Sequence, residues 1–168
     1  MSQIIVDRQI VEDSTQLLRL NEDGSFADVP ATGPVLVPLK QYLAQKEALR
    51  ARGDVGVWFA PDDEPEDLGA DAQALAVIAV EFPAFTDGRG FSIGRLLRER
   101  YGYTGQLRAF GDVFKDTINY LYRCGFNAFA VRADKDIAEA AKGLDDFTEF
   151  YQASVQQPVP LFRRRTLA

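Results

Sequence analysis

Asp87, Gly88, Arg89 and Gly90 stand together in the stretch EFPAFTDGRGFS, with Ser92 two residues further on. Glycines lift steric limits on the backbone, and the first amides of a helix lack intrahelical partners and carry partial positive charge. A loop of this composition opening a helix suits a small anion. Ser92 is placed to cap the helix and Arg89 to bring a guanidinium to the charge. The expected anion-binding set is therefore Asp87, Gly88, Arg89, Gly90 and Ser92, with Arg98 in support from the helix that follows. The competing reading is a structural turn in which Asp87 and Arg89 tie the loop to neighbouring helices. Neither the dinucleotide fingerprint nor the phosphate-loop lysine pattern is present.

Further candidates follow other apolar runs. Asp62, Asp63, Asp112, Lys115, Asp116 and Asp134 each come just after an expected strand. Asp112 and Asp134 read first as helix N-caps. Asp116 lies one helical turn beyond Asp112, and such a pair could hold a proton or a hard cation, although two carboxylates alone fall short of a metal site. No metal is expected, and no residue is assigned a catalytic role. Arg108 lies inside a strand, where burial demands a carboxylate such as Asp116 and an edge position demands nothing; the edge is the simpler expectation. Arg108, Asp112 and Asp116 join Arg98 as supporting residues. Cys124, at a helix end beside Tyr120 and Leu121, reads as a small hydrophobe, and the negative helix terminus disfavours its thiolate.

Composition removes whole classes of chemistry. The chain has no histidine, which eliminates the usual general base, the commonest metal ligand and every Ser-His or Cys-His nucleophile. One cysteine allows neither an intrachain disulfide nor a cysteine-only cluster. A net charge of -6 argues against general nucleic-acid binding, which needs a basic face. No run is long enough to span a bilayer and the start lacks a signal-peptide layout, so no membrane association and a cytoplasmic location are the expectations.

Three segments share a rhythm that must position these residues. A basic residue, a glycine, an apolar run and an aspartate recur from Arg52, from Arg100 and from Arg123. Each is the pattern of a helix end with a left-handed cap, a strand and a new helix start. Strands are expected near 34–37, 55–60, 76–82, 106–110 and 128–132. Helices are expected near 39–50, 66–74, 92–101, 113–124 and 136–153, the last broken at Gly143. Near-continuous apolar strands between amphipathic helices predict an α/β fold: a mainly parallel sheet of about five strands with helices on both faces, Rossmann-like or flavodoxin-like, with a partial βα barrel as the alternative. One domain spans residues 1–168, with a hairpin-like extension over 1–30 and an arm over 154–168.

The stretches EFPAFTDGRGFS and RLLRERYGYTGQLRAFGDVFKDTINYLYRCGFNAF resemble a bacterial family of unknown function labelled as oxidoreductases involved in sulfite reduction. The resemblance is strongest from Asp54 to about Tyr151. Its motif positions here are Asp87 to Gly90, Arg98, Gly105, Arg108, Gly111, Asp112, Asp116, Cys124 and Gly125, with departures at Gln106 and Thr117, where Glu and Gln are expected. The resemblance implies a place in sulfur assimilation and a sulfite or nitrite reductase subunit as partner. It supplies no catalytic residues, and the cofactor is unknown. A reductase would need a flavin, or a haem with an iron-sulfur cluster, and this chain shows motifs for neither. The expected function is an accessory or small-anion-binding protein of assimilatory sulfite reduction, with a cofactor-dependent oxidoreductase as the alternative and a purely structural partner as a third class.

Overall fold

A computed structural model describes residues 2–164. Its strands are β1 Ser2–Val6, β2 Gln9–Asp13, β3 Gln16–Leu17, β4 Val35–Pro38, β5 Val55–Phe59, β6 Val77–Phe82, β7 Gln106–Gly111 and β8 Ala128–Phe129. The helices are α1 Leu39–Ala44, α2 Lys46–Arg50, α3 Pro65–Leu68, α4 Arg89–Glu99, α5 Lys115–Arg123, α6 Ile137–Lys142 and α7 Leu161–Arg164. The expected long helix over 136–153 ends early, passing from α6 into a single 3-10 turn at Gly143–Asp145. The final four residues of the expected 154–168 arm lie outside the described residues.

All eight strands form one mixed sheet in the order β2-β1-β8-β7-β6-β5-β4-β3. From β3 to β8 neighbours run parallel, while β1 is antiparallel to both β2 and β8. This corrects the expectation of a mainly parallel sheet of about five strands with helices on both faces. The strand order is sequential, so the chain never reverses direction along the sheet as Rossmann-like and flavodoxin-like windings do. One alternating set of strand residues, including Val37, Val57, Ile78, Val80 and Leu107, packs with every helical member of the main core. The opposite set, Leu36, Trp58, Ala79 and Phe110, forms a second cluster with no helical member. Helices therefore cover one face.

The sheet is curled into a half-barrel, and the chain itself requires the curl. Laid flat, eight strands span about 34 Å from edge to edge at ~4.8 Å per neighbour. Yet β2 and β3, the two edge strands, are joined by Ser14 and Thr15 alone, a link that reaches at most about 11 Å. The edges must approach one another. Residues 13–19 then cross the concave face: Asp13 pairs with Arg108, the Leu18 carbonyl accepts from Trp58 Nε1 at 2.8 Å, and Arg19 donates to Glu81 at 2.6 Å.

The parallel register along β6 and β7 runs from Val77 opposite Gln106 to Phe82 opposite Gly111. Gly111 ends it with φ +98, and a Cβ there would collide with the Phe82 carbonyl. Only glycine meets both conditions, and the sharp exit delivers Asp112 to the carboxyl edge of the sheet, where its amide donates to Phe82 O at 2.6 Å.

Candidate functional site

The carboxyl ends of β5 to β8 form a rim on which two arginines are each held between two aspartates. After β6 the chain turns at Ala84, whose carbonyl accepts from Asp87 N at 2.9 Å. The Asp87 carboxylate then accepts from the Arg89 amide at 3.2 Å and from its side chain at 3.0 Å and 2.7 Å. Arg89 also pairs with Asp62, beyond β5. Hydrogen bonding from Arg89 holds the Asp87 carboxyl below its usual range, and Asp87 and Asp62 in turn raise the Arg89 guanidinium. The two aspartates differ in exposure, with the Asp87 side chain 15% exposed and that of Asp62 88%.

The second cluster joins β7, β8 and the loop after β6. Asp112 accepts from Arg132 at 2.5 Å and from the Phe85 amide at 2.7 Å. Arg132 also donates to Asp134 at 3.0 Å and 2.7 Å. Arg132 depresses both carboxyls and is itself raised by them. Between the clusters, Phe85 is exposed and tilts against Phe114 with centroids 5.7 Å apart. Asp63, beside the first cluster, accepts from Ala60 N at 2.7 Å, and burial pushes its carboxyl up in spite of that bond. Among the described residues, no group of three or more acidic or cysteine side chains is arranged to hold a metal.

Several expected roles need correction. The N-cap of α4 is Gly88, so Ser92 sits within the helix and is exposed, making no cap bond. Asp112 and Asp134 are ion-pair partners of Arg132 rather than caps. The N-cap of α5 is Phe114, whose amide donates to Thr117 Oγ1 at 3.2 Å, and α6 is capped by Asp136, which accepts from the amides of Ala138 and Glu139. Asp116 is exposed on the first turn of α5, bonded neither to Asp112, which pairs with Arg132, nor to Arg108, which pairs with Asp13.

Arg98 lies nine residues along α4 from Arg89, about 14 Å at the helical rise. That separation takes it to the opposite end of the sheet. There it donates to the carbonyls of Gly125, Tyr103 and Gly105 and to Asn127 Oδ1, at 2.6 to 3.1 Å. Burial lowers its guanidinium. Arg108 sits inside the sheet, not at an edge, and its side chain is only 6% exposed. Its partner is Asp13, bonded at 3.0 and 3.3 Å, not Asp116. The Gln106 amide lies against the same guanidinium, and in the amide orientation that matches donor to acceptor its oxygen accepts from Arg108 at 2.9 and 3.0 Å. Cys124 is buried, and burial pushes its thiol up.

The loop 87–90 thus shares the rim with Asp112, while Arg98 and Arg108 lie apart from it and Asp116 stands in the first turn of α5 without an ion pair to either cluster. Sequence reading missed Arg132 and Phe85. The motif Arg132-Ala133-Asp134 mirrors Asp87-Gly88-Arg89 in placing an arginine two residues from an aspartate after a strand, and that symmetry was the available signal.

The family model described as bacterial protein of unknown function (DUF934) matches residues 56–162, more than half of the chain, and the chain belongs to that family. No curated protein matches it. The matched segment begins within β5 and so contains the whole rim. Among the described residues no helix is long and apolar enough to cross a membrane.

Proposed function

We propose that this chain is an accessory protein of assimilatory sulfite reduction that binds a small anion at the start of α4. The observation that carries the reading is the asymmetric hold on Arg89. Asp87 grips the guanidinium and the helix amide together, while Asp62 reaches it from open solvent. Exposed ion pairs contribute little, so an incoming anion can take the place of Asp62 while Asp87 keeps the guanidinium aimed. The exposed Gly88 gives the anion close access to the backbone, Gly90 lets the helix start pack against the Phe82 ring, and the positive end of an eleven-residue helix favours the anion's charge. The pathway and the reductase as partner rest on the resemblance of the same segment to a family of unknown function that is labelled as acting in sulfite reduction.

Titration of the purified protein with sulfite, sulfate and phosphate tests this reading. Arg89→Ala is expected to weaken binding about 10- to 100-fold, the worth of one charged hydrogen bond, with little change in melting temperature. Unchanged affinity, or a large fall in melting temperature, would mark the loop as a structural turn. An absorbance spectrum taken first separates the alternatives, since a flavin or haem band would support a cofactor-dependent oxidoreductase instead.

A further inference from the structure

A cavity system lies at the end of the sheet opposite the rim. The β1–β2 turn, the end of α5 and the chain from Leu144 to Gln157 enclose a groove of about 410 Å³. A hollow of about 170 Å³ adjoins it, sharing Arg8, Tyr122 and Gln156. This is the size range of sites that hold small organic ligands, and its walls have the usual mixture of aromatic surface and a few polar groups.

Two cations face it under different constraints. Arg8 lies in the left-handed region with φ 70, beside Asp7 at φ 46, a conformation that non-glycine residues rarely adopt. The turn is held there by Asn127, which accepts from the Asp7 amide at 2.9 Å and donates to its carboxylate at 3.0 Å. Its effect is to set Arg8 beside the Tyr122 ring, 5.7 Å from the centroid, and against the exposed Asp145. Arg123 is less satisfied. Its guanidinium stacks over Phe150 at 4.5 Å, its Nε is buried with no hydrogen-bond partner, and among the described residues it has no ion pair. Gln41, Tyr42 and Arg164 also carry a buried polar atom without a partner, but of the four only Arg123 lines the groove, where a bound acceptor could satisfy it. Across the groove Phe147 presents a ring that is 60% exposed.

We propose that this groove binds a small organic anion bearing a flat ring, of the chemistry of a nucleoside monophosphate. Arg123 receives the anionic group, Arg8 adds a second guanidinium, and Tyr122 and Phe147 receive the ring. An inorganic oxyanion would leave most of the groove and both rings unused. The site is independent of the rim: the turn carrying Arg8 adjoins Ala128 at the amino end of β8, whereas Asp112 and Arg132 mark the carboxyl ends.

Calorimetric titration at low salt with adenosine monophosphate, adenosine and inorganic phosphate tests the proposal. Adenosine monophosphate is expected to bind saturably, with adenosine and phosphate each at least tenfold weaker. Arg123→Ala should weaken adenosine monophosphate tenfold or more, and Arg89→Ala should leave it unchanged. No saturable heat with adenosine monophosphate into the millimolar range overturns the proposal. So does undiminished binding in Arg123→Ala, and so does loss in Arg89→Ala alone, which would assign the ligand to the rim. If Arg123→Ala melts far below the parent, Phe147→Ala replaces it, because an exposed ring can be removed without opening the core; unchanged affinity there overturns the proposal equally.

Discussion

Arg98 shows what a single side chain can hold together. Its planar fork of donors satisfies three backbone carbonyls and the Asn127 amide oxygen from a part-buried position. Truncating it strands several acceptors at once, each costing about 1–3 kcal/mol. Arg98→Ala is therefore expected to lose at least about 3 kcal/mol in urea denaturation, and Arg98→Lys to recover little, because an ammonium cannot reproduce the fork. Asp112 works through charge instead. Its folded pKa lies below the ordinary carboxylate value of 3.8, chiefly because Arg132 donates to it. The sign follows from linkage: its contribution is complete above the unfolded value and is lost as pH falls below about 4 and on through the depressed folded value. Urea midpoints compared from pH 6 to pH 3 should fall more steeply for the parent chain than for Asp112→Asn, and equal slopes would show that the ion pair contributes nothing.

At the scale of elements, the exit of β7 and the crossing segment 13–19 carry the most consequence. Gly111→Ala places a Cβ against the Phe82 carbonyl in a backbone region open to glycine. We expect it to cost about 2 kcal/mol or more and to loosen the rim by moving Asp112, seen as faster amide exchange at Phe85. Asp13→Ala leaves Arg108 charged and buried in the middle of the sheet, a loss of about 3–5 kcal/mol. Arg108→Met on that background should restore much of it, since an apolar replacement of the pair can be nearly neutral. A double-mutant cycle without such recovery would place the stability in Gln106 or in the crossing segment.

For the whole molecule, legibility follows range. The helix-glycine-strand-aspartate rhythm placed β5 and β7 well, and the apolar run from Ala76 placed β6, because each is announced by residues a few positions away. The burial of Cys124 was readable for the same reason, through Tyr120 and Leu121 on the same helix. The partner of Arg108 was not readable: Asp13 stands 95 residues earlier, and no local pattern ties the two. Strand order failed in the same way. Sequential and doubly wound sheets place similar residues in their strands, and what separates them is which neighbours meet across long chain separations. The rim was half legible, since Asp87 to Gly90 and Asp112 follow apolar runs, while Arg132 gained its role only when β8 came to lie beside β7.

The joining of β1 to β8 also orders events in time. Ile5 pairs with Phe129, so the β1–β2 hairpin leaves the ribosome with no sheet to join until more than a hundred further residues have been synthesised. Through that interval Ile4 and Ile5, both buried in the finished molecule, stand in water on a nascent chain. The parallel units from β4 to β7 can close before them, leaving the earlier-made hairpin to dock last. A chaperone that recognises short apolar strands would thus meet this protein at the β1–β2 hairpin, and a ribosome stalled before Ala128 would present a largely built sheet lacking the strand that receives the hairpin.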